Sequence, residues 1–206
     1  MIELLVATTN SGKFAEVRAF LSQLPLKILS LKDLTEPPTV IEDGATFEAN
    51  ACKKARALAE FSGLLTLADD SGLEVDALNG APGIFSARYA GEEGDDERNN
   101  QKLLRELENV PDEKRTARFV CALALCGPRS KSALEWTARD CCEGRIAYAL
   151  AGSNGFGYDP LFFYPPFNKT FGEIELAIKA TVSHRGKALA SLAEALPSLI
   201  DLRAKP

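Results

Sequence analysis

Five short segments of this 206-residue chain combine residue types that can do chemistry. The first is Thr8-Thr9-Asn10-Ser11-Gly12-Lys13, which follows an apolar run and opens a helical pattern. Backbone N–H groups at a helix start, hydroxyl and amide side chains, and a lysine one turn in together suit phosphate oxygens. It is not a P-loop, because Gly12-Lys13 is followed by Phe14 and no glycine precedes it at the required offset. The second is Asp69-Asp70-Ser71-Gly72, expected at the end of a buried strand, Leu64 to Ala68. Adjacent carboxylates repel and call for a compensating cation, and a hard divalent ion such as Mg²⁺ suits them. The third, Ile41-Glu42-Asp43-Gly44, places a second acidic pair in a loop before a helix. The fourth, Ser153-Asn154-Gly155-Phe156-Gly157-Tyr158-Asp159-Pro160, sets aromatic rings between glycines, so that a ring can lie against a base while the backbone comes close. The fifth joins Lys179 to Ser183-His184-Arg185-Gly186, a dense set of donors for carbonyl or phosphate oxygens. Ser183 adjoins His184 and there is no G-x-S-x-G elbow, so a Ser-His-Asp hydrolase is a poor reading.

The elements that must position these residues follow from hydrophobic spacing. Ile2 to Ala7 reads as a buried strand, and Lys13 to Leu24 as a helix with Phe14, Val17, Phe20, Leu21 and Leu24 on one side. A second strand is expected at Leu26 to Leu31, a loop over Leu34 to Gly44, and a helix over Thr46 to Phe61, capped by Thr46 or Asp43. Leu73 to Leu78 is expected to be extended, and Asn79 to Gly83 a turn. Asp95 to Leu107 reads as an amphipathic helix. Arg115 to Cys126 and Ala133 to Ile146 read as long strands joined through Gly127-Pro128-Arg129-Ser130. A strand at Leu161 to Tyr164 and a last helix at Gly186 to Leu196 complete the pattern. Strands that adjoin without a helix between them imply a mixed sheet in an α/β fold.

Composition narrows the function classes. A net charge of −5 argues against a nucleic-acid polymer as partner, although a mononucleotide needs only a few local cations. No window approaches the run of about 20 apolar residues that spans a bilayer, and the first residues lack a signal-peptide pattern, so a cytoplasmic protein with no membrane partner is expected. The five cysteines contain no C-x-x-C pair, and Cys121 and Cys126 sit in an apolar run where they read as small buried hydrophobes.

Taken in order, these segments resemble the inosine triphosphate pyrophosphatase family, the dITP/XTP pyrophosphatases. The motifs are Ala7-Thr8-x-Asn10-x-x-Lys13-x-x-Glu16, Gly44-x-Thr46-Phe47-x-x-Asn50-Ala51-x-x-Lys54-Ala55, Ala68-Asp69-Asp70-Ser71-Gly72-Leu73, Gly80-Ala81-Pro82-Gly83-Ile84-x-Ser86-Ala87-Arg88-Tyr89, Gly155-Phe156-Gly157-Tyr158-Asp159-Pro160 and Ser183-His184-Arg185-Gly186. The resemblance implies one such domain over residues 1–206, with an elongated mixed β-sheet flanked by helices and two lobes around a central cleft. It also implies a homodimer that hydrolyses purine nucleoside triphosphates with a non-standard base, such as ITP, dITP and XTP, to the monophosphate and pyrophosphate.

It assigns the triphosphate to Thr8, Thr9, Asn10, Ser11, Gly12 and Lys13, with Lys54 nearby. Asp70 becomes the catalytic proton acceptor and, with Glu42, a ligand of Mg²⁺. Ser71, Phe156, Gly157, Tyr158, Asp159, Lys179, His184 and Arg185 become nucleotide contacts, chiefly around the base. Ile178 stands where relatives often carry an acid, so the loop around Lys179 departs from the pattern. A nucleotide-binding regulator would have no need of Asp69-Asp70 and Glu42, and a pyrimidine-directed pyrophosphatase would differ in the base pocket.

Overall fold

The computed structural model describes residues 2–91, 95–128 and 134–200. Among the described residues, seven strands form one open sheet in the order β2-β1-β3-β4-β5-β6-β7. They are β1 (Ile2–Ala7), β2 (Leu26–Ser30), β3 (Leu65–Val75), β4 (Thr116–Cys126), β5 (Glu135–Ile146), β6 (Phe162–Tyr164) and β7 (Lys169–Thr170). The helices are α1 (Ser11–Leu21), α2 (Phe47–Ser62), α3 (Asp96–Glu106), α4 (Leu176–Val182) and α5 (His184–Leu199). β1 is parallel to both β2 and β3, whereas β5–β6 and β6–β7 are antiparallel, so the expected mixed sheet is present. No helix among the described residues is long and apolar enough to cross a membrane.

The chain divides into two compact units, residues 1–70, 121–140 and 186–206 forming one and residues 71–120 and 141–185 the other. In the first unit, Leu4 and Val6 of β1, Val17 and Leu21 of α1, Leu123 and Leu125 of β4, and Leu189, Leu192 and Leu196 of α5 share one core. The spacings 17/21 and 189/192/196 are those of a helix burying a single stripe. In the second unit, Leu73 and Val75 pack with Leu103 and Leu107, Phe119, Phe162 and Phe171. Phe119 meets Phe162 at 4.5 Å and Phe162 meets Phe171 at 4.9 Å between ring centroids, tilted in both cases.

Two expectations change. Leu64 to Ala68 and Leu73 to Leu78 are not separate segments, because β3 continues through Asp69-Asp70-Ser71-Gly72 to Val75. Residues 66–70, 72, 73 and 75 are buried, and a polar stretch can continue as strand in such a place only where each carboxylate finds partners. The second change is at the C-terminal end. α5 starts at His184, not at Gly186, and a short helix, α4, precedes it. The turn residues Arg129 and Ser130, together with Ala133, lie outside the described residues, while Gly127 N–H donates to the Leu134 carbonyl at 3.0 Å.

The second unit contains an unusual internal brace. Arg115, 1% exposed, donates from Nε to the Ile146 carbonyl at 2.8 Å, from Nη1 to that of Leu107 at 2.7 Å and from Nη2 to that of Ala147 at 3.0 Å. Its guanidinium also lies 4.2 Å from the Tyr148 ring centroid. Arg115→Ala leaves these carbonyls without their donor and is expected to cost roughly 3 kcal/mol or more of stability, read as a lowered urea midpoint.

Candidate active site

In the first unit, the turn after β1 is held by its own side chains. Thr8 Oγ1 accepts Asn10 N–H at 3.2 Å, and Asn10 Oδ1 caps α1 by accepting Lys13 N–H at 2.9 Å. Thr9, Asn10 and Ser11 are exposed at the positive end of the helix dipole, and the first turn carries no acid. An anion is favoured there. Lys13 turns back to Asp69, with Nζ 2.8 Å from Oδ1. The other oxygen of Asp69 accepts the Cys121 thiol at 3.2 Å. Cys121 is therefore a buried donor as well as the small hydrophobe its surroundings suggest.

Asp70, 8% exposed, has different partners because the strand pleat sends neighbouring side chains to opposite faces. Asn50 Nδ2 donates to its Oδ2 at 3.0 Å. Burial pushes the Asp70 carboxyl from the usual 3.8 up to about 6, the charges of Lys13 and Lys54 oppose the rise, and that of Glu42 adds to it. Lys54 Nζ lies 2.7 Å from Glu42 Oε1. Thus Lys13, Glu42, Lys54 and Asp70 form one electrostatic group. Among the described residues no cluster of three or more His, Cys, Asp or Glu side chains is arranged for a metal, and the hard donors here are the pair Glu42 and Asp70. Two carboxylates are what Mg²⁺ commonly takes from a protein when substrate phosphates and water complete its shell, so the pair fits that ion.

In the second unit, Lys179 and Asp159, each with its side chain 2% exposed, pair at 2.6 Å. Asp159 Oδ2 also accepts Phe156 N–H at 2.9 Å. A side chain at Gly155, whose φ is +77°, would start 1.9 Å from that oxygen, so only glycine lets Asp159 reach the loop. The half-buried Phe156 ring has Lys179 Nζ 5.0 Å and Arg185 Cζ 5.6 Å from its centroid. Arg185 Nη2 donates to Ser71 Oγ at 2.7 Å, and His184 stacks on Phe119 at 4.8 Å. Gly157 is held through both backbone groups, its N–H by Asp96 Oδ2 at 2.7 Å and its carbonyl by Asn100 Nδ2 at 2.9 Å.

The Tyr158 side chain turns into the core instead, where its hydroxyl donates to the Ser86 carbonyl at 2.9 Å and burial raises its pKa. Ile178 is half exposed on α4 and leaves Lys179 with its buried partner.

The sequence alone assigns no role at the site to Asn50, Cys121, Asp96 or Asn100. Asn50 carried a signal, since it lies on the buried stripe Phe47, Asn50, Ala51, Ala55, Leu58 and Ala59 of α2, where an amide must have a polar partner. Cys121 and Asn100 act through contacts far away in sequence and had no such mark.

An open mixed sheet whose first strand–turn–helix presents an anion site beside buried carboxylates and lysines is an α/β architecture suited to nucleotides. The Ham1 family model matches residues 4–195, and the chain belongs to that family. A dITP/XTP pyrophosphatase of Geobacter sulfurreducens is 53% identical over 196 residues, spanning 95% of this chain and 97% of the relative. One of Desulforamulus reducens is 50% identical over 198 residues, covering 96% and 97%. A HAM1 protein structure from Coxiella burnetii superposes with a TM-score of 0.86 at 41% identity, covering 96% of this chain and all of that one.

The raised pKa of Asp70 has a measurable consequence for stability. Its unfolded carboxyl titrates near 3.8 and its folded one near 6, so the folded state holds the extra proton and stability falls as pH rises through that window. By pH 7 the penalty is on the order of 3 kcal/mol. In metal-free buffer, Asp70→Asn is expected to raise the melting temperature at pH 7, with the gain shrinking to nothing below about pH 4. A difference independent of pH would contradict the burial argument.

Proposed function

We propose that this chain hydrolyses purine nucleoside triphosphates bearing a non-standard base, dITP, ITP and XTP, to the nucleoside monophosphate and pyrophosphate. The observation that carries the reading is Asp70, a buried carboxylate with a pKa near 6 set among Lys13, Lys54 and Glu42. At neutral pH it is ionised, yet basic enough to take a proton from water as the water attacks. The lysines and the N-terminus of α1 offset the charge of a triphosphate, and no covalent nucleophile is required for chemistry that rests on positioning and electrostatics. The near full-length similarity to the dITP/XTP pyrophosphatases supports the same activity.

Glu42 and Asp70 would hold Mg²⁺, which when bound supplies positive charge against the phosphate oxygens. The residues Thr8 to Lys13 take the triphosphate. Phe156 offers its face to the base, and Lys179, His184 and Arg185 supply donors around it. Donors aimed at the 6-oxo group of hypoxanthine or xanthine are left unpaired by the 6-amino group of adenine, which can discriminate strongly. The enzyme is taken to act in the cytoplasm as a homodimer.

Pyrophosphate release from dITP, ITP, XTP, ATP, GTP and dUTP, with Mg²⁺ and with EDTA, tests the reading. Metal-dependent turnover of the inosine and xanthosine nucleotides far above ATP and GTP is expected. Preference for dUTP would move the enzyme to a pyrimidine substrate. Asp70→Asn should lower kcat by a factor of about 10³ or more while nucleotide binding survives. Arg185→Ala should narrow the ratio of ITP to ATP turnover by roughly tenfold, and an unchanged ratio removes Arg185 from base selection.

A further inference from the structure

Asn50 occupies a place in the first unit that the reaction chemistry leaves unexplained. It is 1% exposed in the first turn of α2, on a stripe otherwise made of Phe47, Ala51, Ala55, Leu58 and Ala59. Both ends of its amide are engaged, Nδ2 by Asp70 Oδ2 at 3.0 Å and Oδ1 by the Gly44 N–H at 2.7 Å. These contacts fix which end is nitrogen, since a carboxylate needs a donor and an N–H needs an acceptor. Gly44 lies two residues after Glu42, and Lys54, one helical turn after Asn50, holds Glu42 at 2.7 Å. One face of α2 therefore grips both carboxylate-bearing segments, β3 through Asn50 and the Glu42 loop through Asn50 and Lys54 together.

We propose that Asn50 is a positioning residue that sets the Asp70 carboxylate and the Glu42 loop in register with each other through this amide clamp. The proposal rests on the reading of Asp70 given above. No other side chain of this size does both jobs. Aspartate would face Asp70 with a like charge, and leucine would supply neither bond. Gly44 is the matching half of the clamp. A Cβ there would stand 2.7 Å from Asn50 Oδ1, 3.0 Å from Ala49 Cβ and 3.2 Å from Asn50 N, so Gly44→Ala pushes on the same amide from the other side.

The test compares wild type, Asn50→Ala, Gly44→Ala, the double variant and Asp70→Asn, with kcat and KM measured per folded molecule on dITP and folding followed by circular dichroism. Each single clamp variant is expected to lose about 10- to 100-fold in kcat with KM changed less than about threefold, as for residues that orient a reacting group. The double variant should lose little more than the worse single one, because both break one unit. Wild-type kcat in folded Asn50→Ala, alongside an inactive Asp70→Asn, overturns the clamp and spares the reading of Asp70. Turnover retained by Asp70→Asn overturns both. If Asn50→Ala does not fold, Gly44→Ala decides alone, and a wild-type kcat in it overturns the clamp.

Discussion

Two consecutive carboxylates in the buried middle of a strand are the constraint around which the first unit is arranged. Neither can be left bare, because an ionised carboxylate taken from water without partners costs far more than a small domain can spare. The pleat separates them, so each needs its own set of partners. Asp69 receives Lys13 and the Cys121 thiol, and Asp70 receives Asn50 with Lys54 and Lys13 as more distant cations. The two solutions are not equivalent. Asp69 holds an ammonium at 2.8 Å, whereas among the described residues the Asp70 carboxylate has a neutral amide for its side-chain partner, and desolvation outweighs the opposing charges. Incomplete compensation leaves the Asp70 carboxyl with its pKa raised to about 6, while Asp69 orients the lysine.

The same asymmetry explains why parts of the architecture could be read in advance. β1 was legible to the residue, because a short apolar run between turn residues has one reading. α2 was legible too, since alanine-rich helical spacing and the Thr46 cap agree, and Thr46 Oγ1 does accept Ala49 N–H at 3.1 Å. The segment around Asp69-Asp70-Ser71-Gly72 misled because local propensity says turn there. Its strand character depends on Lys13 and Asn50, 56 and 20 residues away, which no window contains. α4 was missed for a related reason. Leu176 and Ile178 are both about half exposed while Lys179 is buried, so its pattern inverts the expected stripe.

The candidate site was legible as residue types, less so as roles. Asp70, Glu42, Lys13 and Lys54 come together in one unit, and Phe156, Asp159, Lys179 and Arg185 in the other. In the aromatic loop the sequence offers Phe156 and Tyr158 alike. Tyr158 carries a hydroxyl that finds a buried acceptor at Ser86, whereas Phe156 has no polar atom to place and remains half buried beside two cations. A phenolic ring can fill a core only where its hydroxyl is satisfied, and here it is.

The buried Lys179–Asp159 pair is poor evidence for stability, since an apolar pair of the same volume often does as well or better. Its value lies in what else it holds. Asp159 is tied to Phe156 N–H through an approach that only Gly155 permits, and the Lys179 ammonium lies near the Phe156 ring. A cation over an aromatic face draws on the same electron density that a stacked base would use from the other side. The pair thus fixes the loop and sets a cation beside the Phe156 ring at once.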